Sequence, residues 1–171
     1  MPSNDDEDRR QFGAYFAARH DAVRRTAYLL CGDWHLAEDL TQTTFTKLYR
    51  AWGRIERHDT MDRYARQVLL RAFLDERRRP WRREHATTPE SAALDGPAGG
   101  ADDPSDRLLL RTALLRLTKR RRAAVVLRFW ADLSVEEVAE LLGCSTGTVK
   151  SLTARGLADL RAMLADLLVD C

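Results

Sequence analysis

Four polar side chains late in the chain, Thr148, Lys150, Ser151 and Arg155, have the types and spacing for nucleic-acid recognition. Lys and Arg neutralise backbone phosphates and give salt-dependent affinity, while a few side chains at base edges give sequence choice. The elements that would position them are written in LSVEEVAELLGCSTGTVKSLTARGLADLR, residues 133–161. Ser134, with Glu137 three positions later, is a capping-box signature that starts a short helix. Val135, Val138, Ala139, Leu141 and Leu142 supply its apolar stripe. Gly143 ends it, because a left-handed turn residue without a Cβ carries no steric penalty. Ser145 or Thr146 then caps a second helix whose Val149, Leu152, Leu157 and Leu160 face inward, leaving the four polar residues outward. This is the layout of a helix-turn-helix whose second helix enters a DNA major groove. An ordinary helical hairpin with solvated basic residues is the plainer alternative.

A second informative stretch is AEDLTQTTFTKLYRAWGRI, residues 37–55. On a helix, Asp39, Gln42, Thr43 and Thr46 share one flank, and Leu40, Phe45, Leu48 and Trp52 offer a broad apolar surface. Phe45 and Tyr49 are spaced i, i+4 and stand side by side. Such a pattern suits packing on one side and docking another protein on the other. From periodicity alone, a core helix with a solvated edge is preferred.

Composition bounds the rest. A chain of 171 residues makes one domain or two small ones. Ala, Leu, Arg and Glu dominate and no run alternates for long, so the fold class is all-α. The net charge is only +2, but its distribution is uneven. Basic residues cluster at Arg77, Arg78, Arg79, Arg82 and Arg83 and again at Lys119, Arg120, Arg121 and Arg122; acidic ones gather at 5–8 and 90–106. Segregated charge lets two basic surfaces meet phosphates while the average stays low, although either cluster alone reads as a solvated face. Cys31, Cys144 and Cys171 are an odd number without metal-ligand spacing. The first two lie by apolar helix faces and read as small hydrophobes, the last as a free thiol. No nucleophile–base pair, metal cluster or phosphate-binding glycine loop is visible, so no catalytic residue, metal or cofactor is expected. With no signal peptide and no apolar run of roughly 20 residues, a cytoplasmic protein without membrane contact is expected.

The organisation predicted is two small helical domains joined by a flexible acidic linker. Residues 1–8 read as a disordered acidic tip. Residues 9–85 hold three helices. The first carries Phe12, Phe16, Val23, Ala27 and Leu30 and breaks near Gly32 and Asp33; the second spans about 35–52; the third spans about 60–79, stopped by Pro80. Residues 86–106, with Pro89, Pro97, Pro104 and five acids but no Lys or Arg, read as the linker. Residues 107–171 form the second domain: a Leu-rich helix, a helix at 121–130 with Val125, Val126, Leu127 and Phe129, and the helix-turn-helix.

Taken in order, AEDLTQTTFTKLYRAW, YARQVLLRAFLDERRRPWRR and VVLRFWADLSVEEVAELLGCSTGTVKS resemble the extracytoplasmic-function (ECF) sigma factors of the sigma-70 family. The QTT, RRRPW and GTVKS wording is most similar to the SigE-like actinobacterial branch, and the likeness covers roughly residues 10–165.

The resemblance implies a factor that directs core RNA polymerase to specific promoters and promotes DNA opening. The first domain would be sigma region 2. Its docking surface for the clamp coiled coil of the largest polymerase subunit would comprise Asp39, Gln42, Phe45, Thr46 and Tyr49, of which Asp39, Gln42 and Phe45 match the family's D-x-x-Q-x-x-F pattern. Arg71, Asp75, Arg78, Arg79 and Arg82 would read the −10 element. The loop at about 55–61 would hold a flipped base, with Tyr64 and Trp81 as stacking or packing aromatics. The second domain would be region 4, which also meets the polymerase flap region. Thr148, Lys150, Ser151 and Arg155 would read the −35 element, with Arg121 and Arg122 on nearby phosphates. The acidic linker would follow the polymerase's basic channels. An anti-sigma factor is a common partner in the family.

Two departures stand out. Arg71 replaces an Asn common in the family, and Leu152 replaces the usual Arg or Gln, so base preferences do not carry over. The rival readings are a stand-alone LuxR-like helix-turn-helix regulator and a decoy that occupies polymerase without starting transcription.

Overall fold

A computed structural model describes residues 4–55, 60–76 and 104–169, and every regular element among them is helical. The first half holds α1 (Asn4–Cys31), α2 (Trp34–Ala51), a 3-10 turn (Trp52–Arg54) and α3 (Met61–Asp75). The second holds α4 (Pro104–Arg116), α5 (Lys119–Val125), a π-helical segment (Val126–Trp130), α6 (Val135–Leu142) and α7 (Thr146–Val169).

The helix starts come from side-chain caps that satisfy orphan backbone donors. Asp33 Oδ1 accepts from the amides of His35 at 2.8 Å and Leu36 at 3.1 Å, starting α2. Thr118 Oγ1 accepts from the Arg121 amide at 3.4 Å, starting α5. The acidic tip expected to be disordered is instead helical from Asn4. Asp5, Asp6 and Glu7 occupy the first turn, where negative charge suits the helix dipole. One turn on, Arg9 pairs with Asp5 at 3.4 Å, and Gln11 donates to Glu7 at 2.8 Å. In the second half, α4 begins at Pro104 rather than near Arg107, consistent with proline's fitness for the first helical position. The remaining linker residues, 86–103, lie outside the described residues, as do Arg77 to Pro80 at the expected end of α3.

The apolar interior is not divided between the halves as two separate cores. One cluster joins Leu30, Leu40, Leu70 and Phe73 to Leu114, Leu117, Leu127, Val138 and Val149. A second lies within the first half, where Phe45, Leu48, Trp52, Met61 and Ala65 meet Phe12 and Tyr15.

The 121–130 helix departs from expectation at its end. The Ala131 amide bonds the Val126 carbonyl at 3.0 Å, an i→i+5 bond that widens the turn. Phe129 and Trp130 therefore stand 57% and 55% exposed, and Phe129 is not an inward residue.

Candidate nucleic-acid and polymerase interfaces

The helix-turn-helix is built by reciprocal local bonds. The Ser134 amide donates to Glu137 Oε2 at 2.7 Å, and the Glu137 amide donates to Ser134 Oγ at 3.1 Å. The bond from the Ser134 backbone holds the Glu137 carboxyl below its ordinary range. Gly143 turns the chain at φ 63°, and the Cys144 amide closes the turn on the Ala139 carbonyl at 3.0 Å. Ser145, of the two candidates, is the cap of α7: its Oγ accepts from the Thr148 amide at 3.1 Å.

Val149 and Leu160 are buried, while Leu152 and Leu157 are partly buried against the same core. Leu152 thus packs. Thr148, Lys150, Ser151 and Arg155 are all exposed, as their spacing predicts. Gly156 lets α7 approach α5 closely: a Cβ there would stand 2.7 Å from Val125 Cγ2.

The two arginines assigned to nearby phosphates fare differently. Arg121 Nη1 donates to Asp159 Oδ2 at 2.7 Å with both side chains about one-third exposed, so it lies at the surface of the α5–α7 junction. Arg122 is only 3% exposed. Its guanidinium donates to the carbonyls of Leu114 at 2.8 Å, Leu30 at 2.6 Å, Leu115 at 3.1 Å and Leu117 at 3.0 Å. The phosphate assignment of Arg122 is therefore corrected: in this arrangement it is a buried structural cation.

On α2, Asp39, Gln42, Thr46 and Tyr49 are exposed and fall at i, i+3, i+7 and i+10, one helical face. Thr41 and Thr44 point inward and donate to the Ala37 and Leu40 carbonyls at 2.7 and 2.8 Å, which satisfies them in the core. Phe45 does not stand with the exposed row. It is 4% exposed, with Phe16 at 4.7 Å, Phe12 at 6.5 Å and Tyr15 at 6.4 Å between ring centroids. Its assignment as a docking contact is corrected to that of a core residue beneath the exposed row. Tyr49 is half-exposed and meets Phe12 edge-on at 5.0 Å.

On α3, Arg71 and Asp75 are exposed one turn apart, while Arg78, Arg79, Arg82 and Trp81 lie outside the described residues. Tyr64 packs against the second cluster. Most of the loop expected to hold a flipped base, residues 56–59, also lies outside. Sequence reasoning missed Arg111 and Lys119, which reach carbonyls of the first half. Arg111 sits in a Leu-rich helix whose pattern gave no sign of a cross-half contact.

Among the described residues no group of three or more His, Cys, Asp and Glu side chains is placed to hold a metal ion. No helix among them is long and apolar enough to cross a membrane.

Residues 15–83 match the family described as Sigma-70 region 2, and residues 107–160 match Sigma-70, region 4. The RNA polymerase sigma-E factor of Streptomyces coelicolor is 38% identical over 156 residues, covering 90% of this chain and 86% of that protein. The ECF RNA polymerase sigma factor SigE of Mycolicibacterium smegmatis is 36% identical over 154 residues, covering 85% of this chain and 58% of that protein. The chain belongs to the ECF sigma factors of the sigma-70 family.

This sigma factor is also similar in structure to RpoE of Bartonella quintana, solved with the anti-sigma factor NepR, at TM-score 0.71 and 26% identity over 91% of this chain and 97% of that one. A likeness to CnrH, solved with the cytosolic domain of CnrY, has TM-score 0.67 at 21% identity over 92% and 90% of the two chains and concerns the fold. Family membership removes the stand-alone LuxR-like reading.

Proposed function

We propose that this sigma factor docks core RNA polymerase through the exposed α2 row of Asp39, Gln42, Thr46 and Tyr49. The clamp coiled coil of the largest subunit is the surface it meets, and region 4 meets the flap region. The domains are assigned as region 2 at 9–85, linker at 86–106 and region 4 at 107–171. Arg71 and Asp75, with Arg78, Arg79 and Arg82 beyond α3, read and help open the −10 element. Thr148, Lys150, Ser151 and Arg155 read the −35 element, and Arg121 contacts a phosphate beside it. Such a protein works in the cytoplasm, where core polymerase is.

The observation that carries this reading is the pairing of two exposed polar rows, one on each half, in a chain that matches both sigma regions. The likeness to RpoE, solved in complex with an anti-sigma factor, supports regulation of this chain by a protein partner of that class. Run-off transcription with purified core enzyme and a genomic promoter pool tests the initiation claim. Defined transcripts are expected; core binding without any transcript favours the decoy reading instead.

A further inference from the structure

A surface cavity of about 330 Å³ is lined by α1, α3 and the end of the π-helical segment. Its volume falls within the range of small-molecule sites. It follows α1 from Tyr15 to Thr26, about 16 Å of helix. Val23, Ala65 and Leu69 give it apolar walls, and three arginines line it as well: Arg19 and Arg25 from α1 and Arg66 from α3. Asp62 is the one carboxylate among the lining residues, and both of its oxygens are taken. Its Oδ1 accepts from the Tyr15 hydroxyl at 2.9 Å, and its Oδ2 pairs with Arg19 Nη2 at 2.9 Å. Burial, together with the bond to Asp62, raises the Tyr15 pKa, so Tyr15 stays a neutral donor at physiological pH.

Arg19 and Asp62 therefore cancel. The guanidinium groups of Arg25 and Arg66, both half-buried, have no ion pair or hydrogen bond among the described residues. Two positive charges are left beside apolar walls. Such a pair selects a dianion, and guanidinium groups match phosphate oxygens bidentately. A phosphomonoester carries close to two negative charges at neutral pH. The apolar walls add nothing for a bare ion, but they suit a planar ring. Trp130, which lines the same cavity and is 55% exposed, supplies an indole face on which such a ring stacks. A wholly apolar ligand would cover the two cations without compensating them, at a desolvation cost. A nucleic-acid strand calls for a basic groove that tracks a backbone, whereas this cavity is bounded and holds one ring and one phosphate.

We infer that the cavity is a mononucleotide site, with a phosphate held by Arg25 and Arg66 and a base stacked on Trp130. Arg19 stays with Asp62 and fixes the wall between α1 and α3. The site uses none of the residues assigned to polymerase, the −10 element or the −35 element, and so stands apart from that reading.

Isothermal titration calorimetry of the full chain with adenosine 5′-monophosphate and guanosine 5′-monophosphate tests the site. Saturable one-to-one binding of at least one of them is expected, with a Kd of about 1 mM or tighter. Arg25→Gln combined with Arg66→Gln, and separately Trp130→Ala, are each expected to weaken it about tenfold or more. Circular dichroism checks helicity. If the arginine variant loses it, Trp130→Ala, which alters an exposed ring, is judged alone. Inorganic phosphate and the parent nucleoside, titrated separately, are each expected to bind far more weakly than the nucleotide. Absence of saturable binding by both nucleotides overturns the site, and so does unchanged affinity in a helical variant. Phosphate bound as tightly as the nucleotide overturns the role of the ring. An oligothymidylate strand bound more tightly than either nucleotide overturns the site in favour of single-stranded nucleic acid. Neither polymerase nor promoter is present, so the result is separate from that of run-off transcription.

Discussion

Arg121 and Asp159 form an ion pair at 2.7 Å that ties the start of α5 to the middle of α7. Both side chains are about one-third exposed, so screening leaves the pair about 1 kcal/mol or less of folding stability. Its greater consequence is for DNA. Arg121→Gln removes one cation from the proposed phosphate contacts, and the log–log salt slope of binding to a −35 duplex is expected to become shallower by about 1. Fluorescence anisotropy across a salt series measures it. An unchanged slope removes Arg121 from the phosphate contacts.

Phe45 and Tyr49 are neighbours on α2, the first buried and the second half-exposed. Phe45→Ala opens a cavity beneath Phe12 and Phe16 and is expected to cost about 3–5 kcal/mol in urea unfolding. Asp39→Ala combined with Gln42→Ala removes no ring from that cluster and is expected to weaken core-polymerase binding at least tenfold. A double variant that binds core enzyme like the wild type refutes the docking row.

The capping box makes α6 sensitive to acid. Glu137 is held below its ordinary range in the fold, so its contribution is complete above the unfolded carboxyl value, about 4.3, and is lost as pH falls through the lower folded value. Thermal unfolding of the wild type and Glu137→Gln should differ at pH 7 and converge towards pH 3. Ser134→Ala, which removes the other arm of the box, is expected to cost about 1 kcal/mol at neutral pH. Parallel pH profiles would mean that Glu137 titrates alike in folded and unfolded chains.

Cys31 should resist alkylation. Its thiol donates to the Asp33 carbonyl at 3.2 Å, and burial pushes its pKa up to about 12. Peptide mapping after brief iodoacetamide treatment at pH 8 should find Cys31 unmodified in native protein and modified in denaturant. Rapid native labelling of Cys31 would show that the end of α1 opens readily.

The segments most legible from sequence are those whose structure is locally determined. Ser134, Glu137 and Gly143 bond within a few residues, so spacing alone predicted the helix-turn-helix and its exposed row. Phe45 was misassigned through the D-x-x-Q-x-x-F resemblance, although periodicity had placed it on the apolar surface of α2 that Phe12 and Phe16 cover. Arg122 was misassigned because a run of basic residues reads as solvated, whereas its four carbonyl partners come from two separate places in the chain, the end of α1 and the end of α4. The helical start at Asn4 was hidden by acidity, which signals disorder in a long stretch but dipole stabilisation in a first turn.

The wide turn at Val126–Trp130 has the form of a one-residue insertion absorbed by a helix. The outward placement of Phe129 and Trp130 is then a matter of backbone register, since one extra residue rotates the downstream side chains by about 100°. Removing a single residue from this segment would restore an ordinary turn and carry both rings to a different side of the helix, with no change in their identity. The aromatic pair is held out by the length of the chain, and shortening it by one would relocate them together.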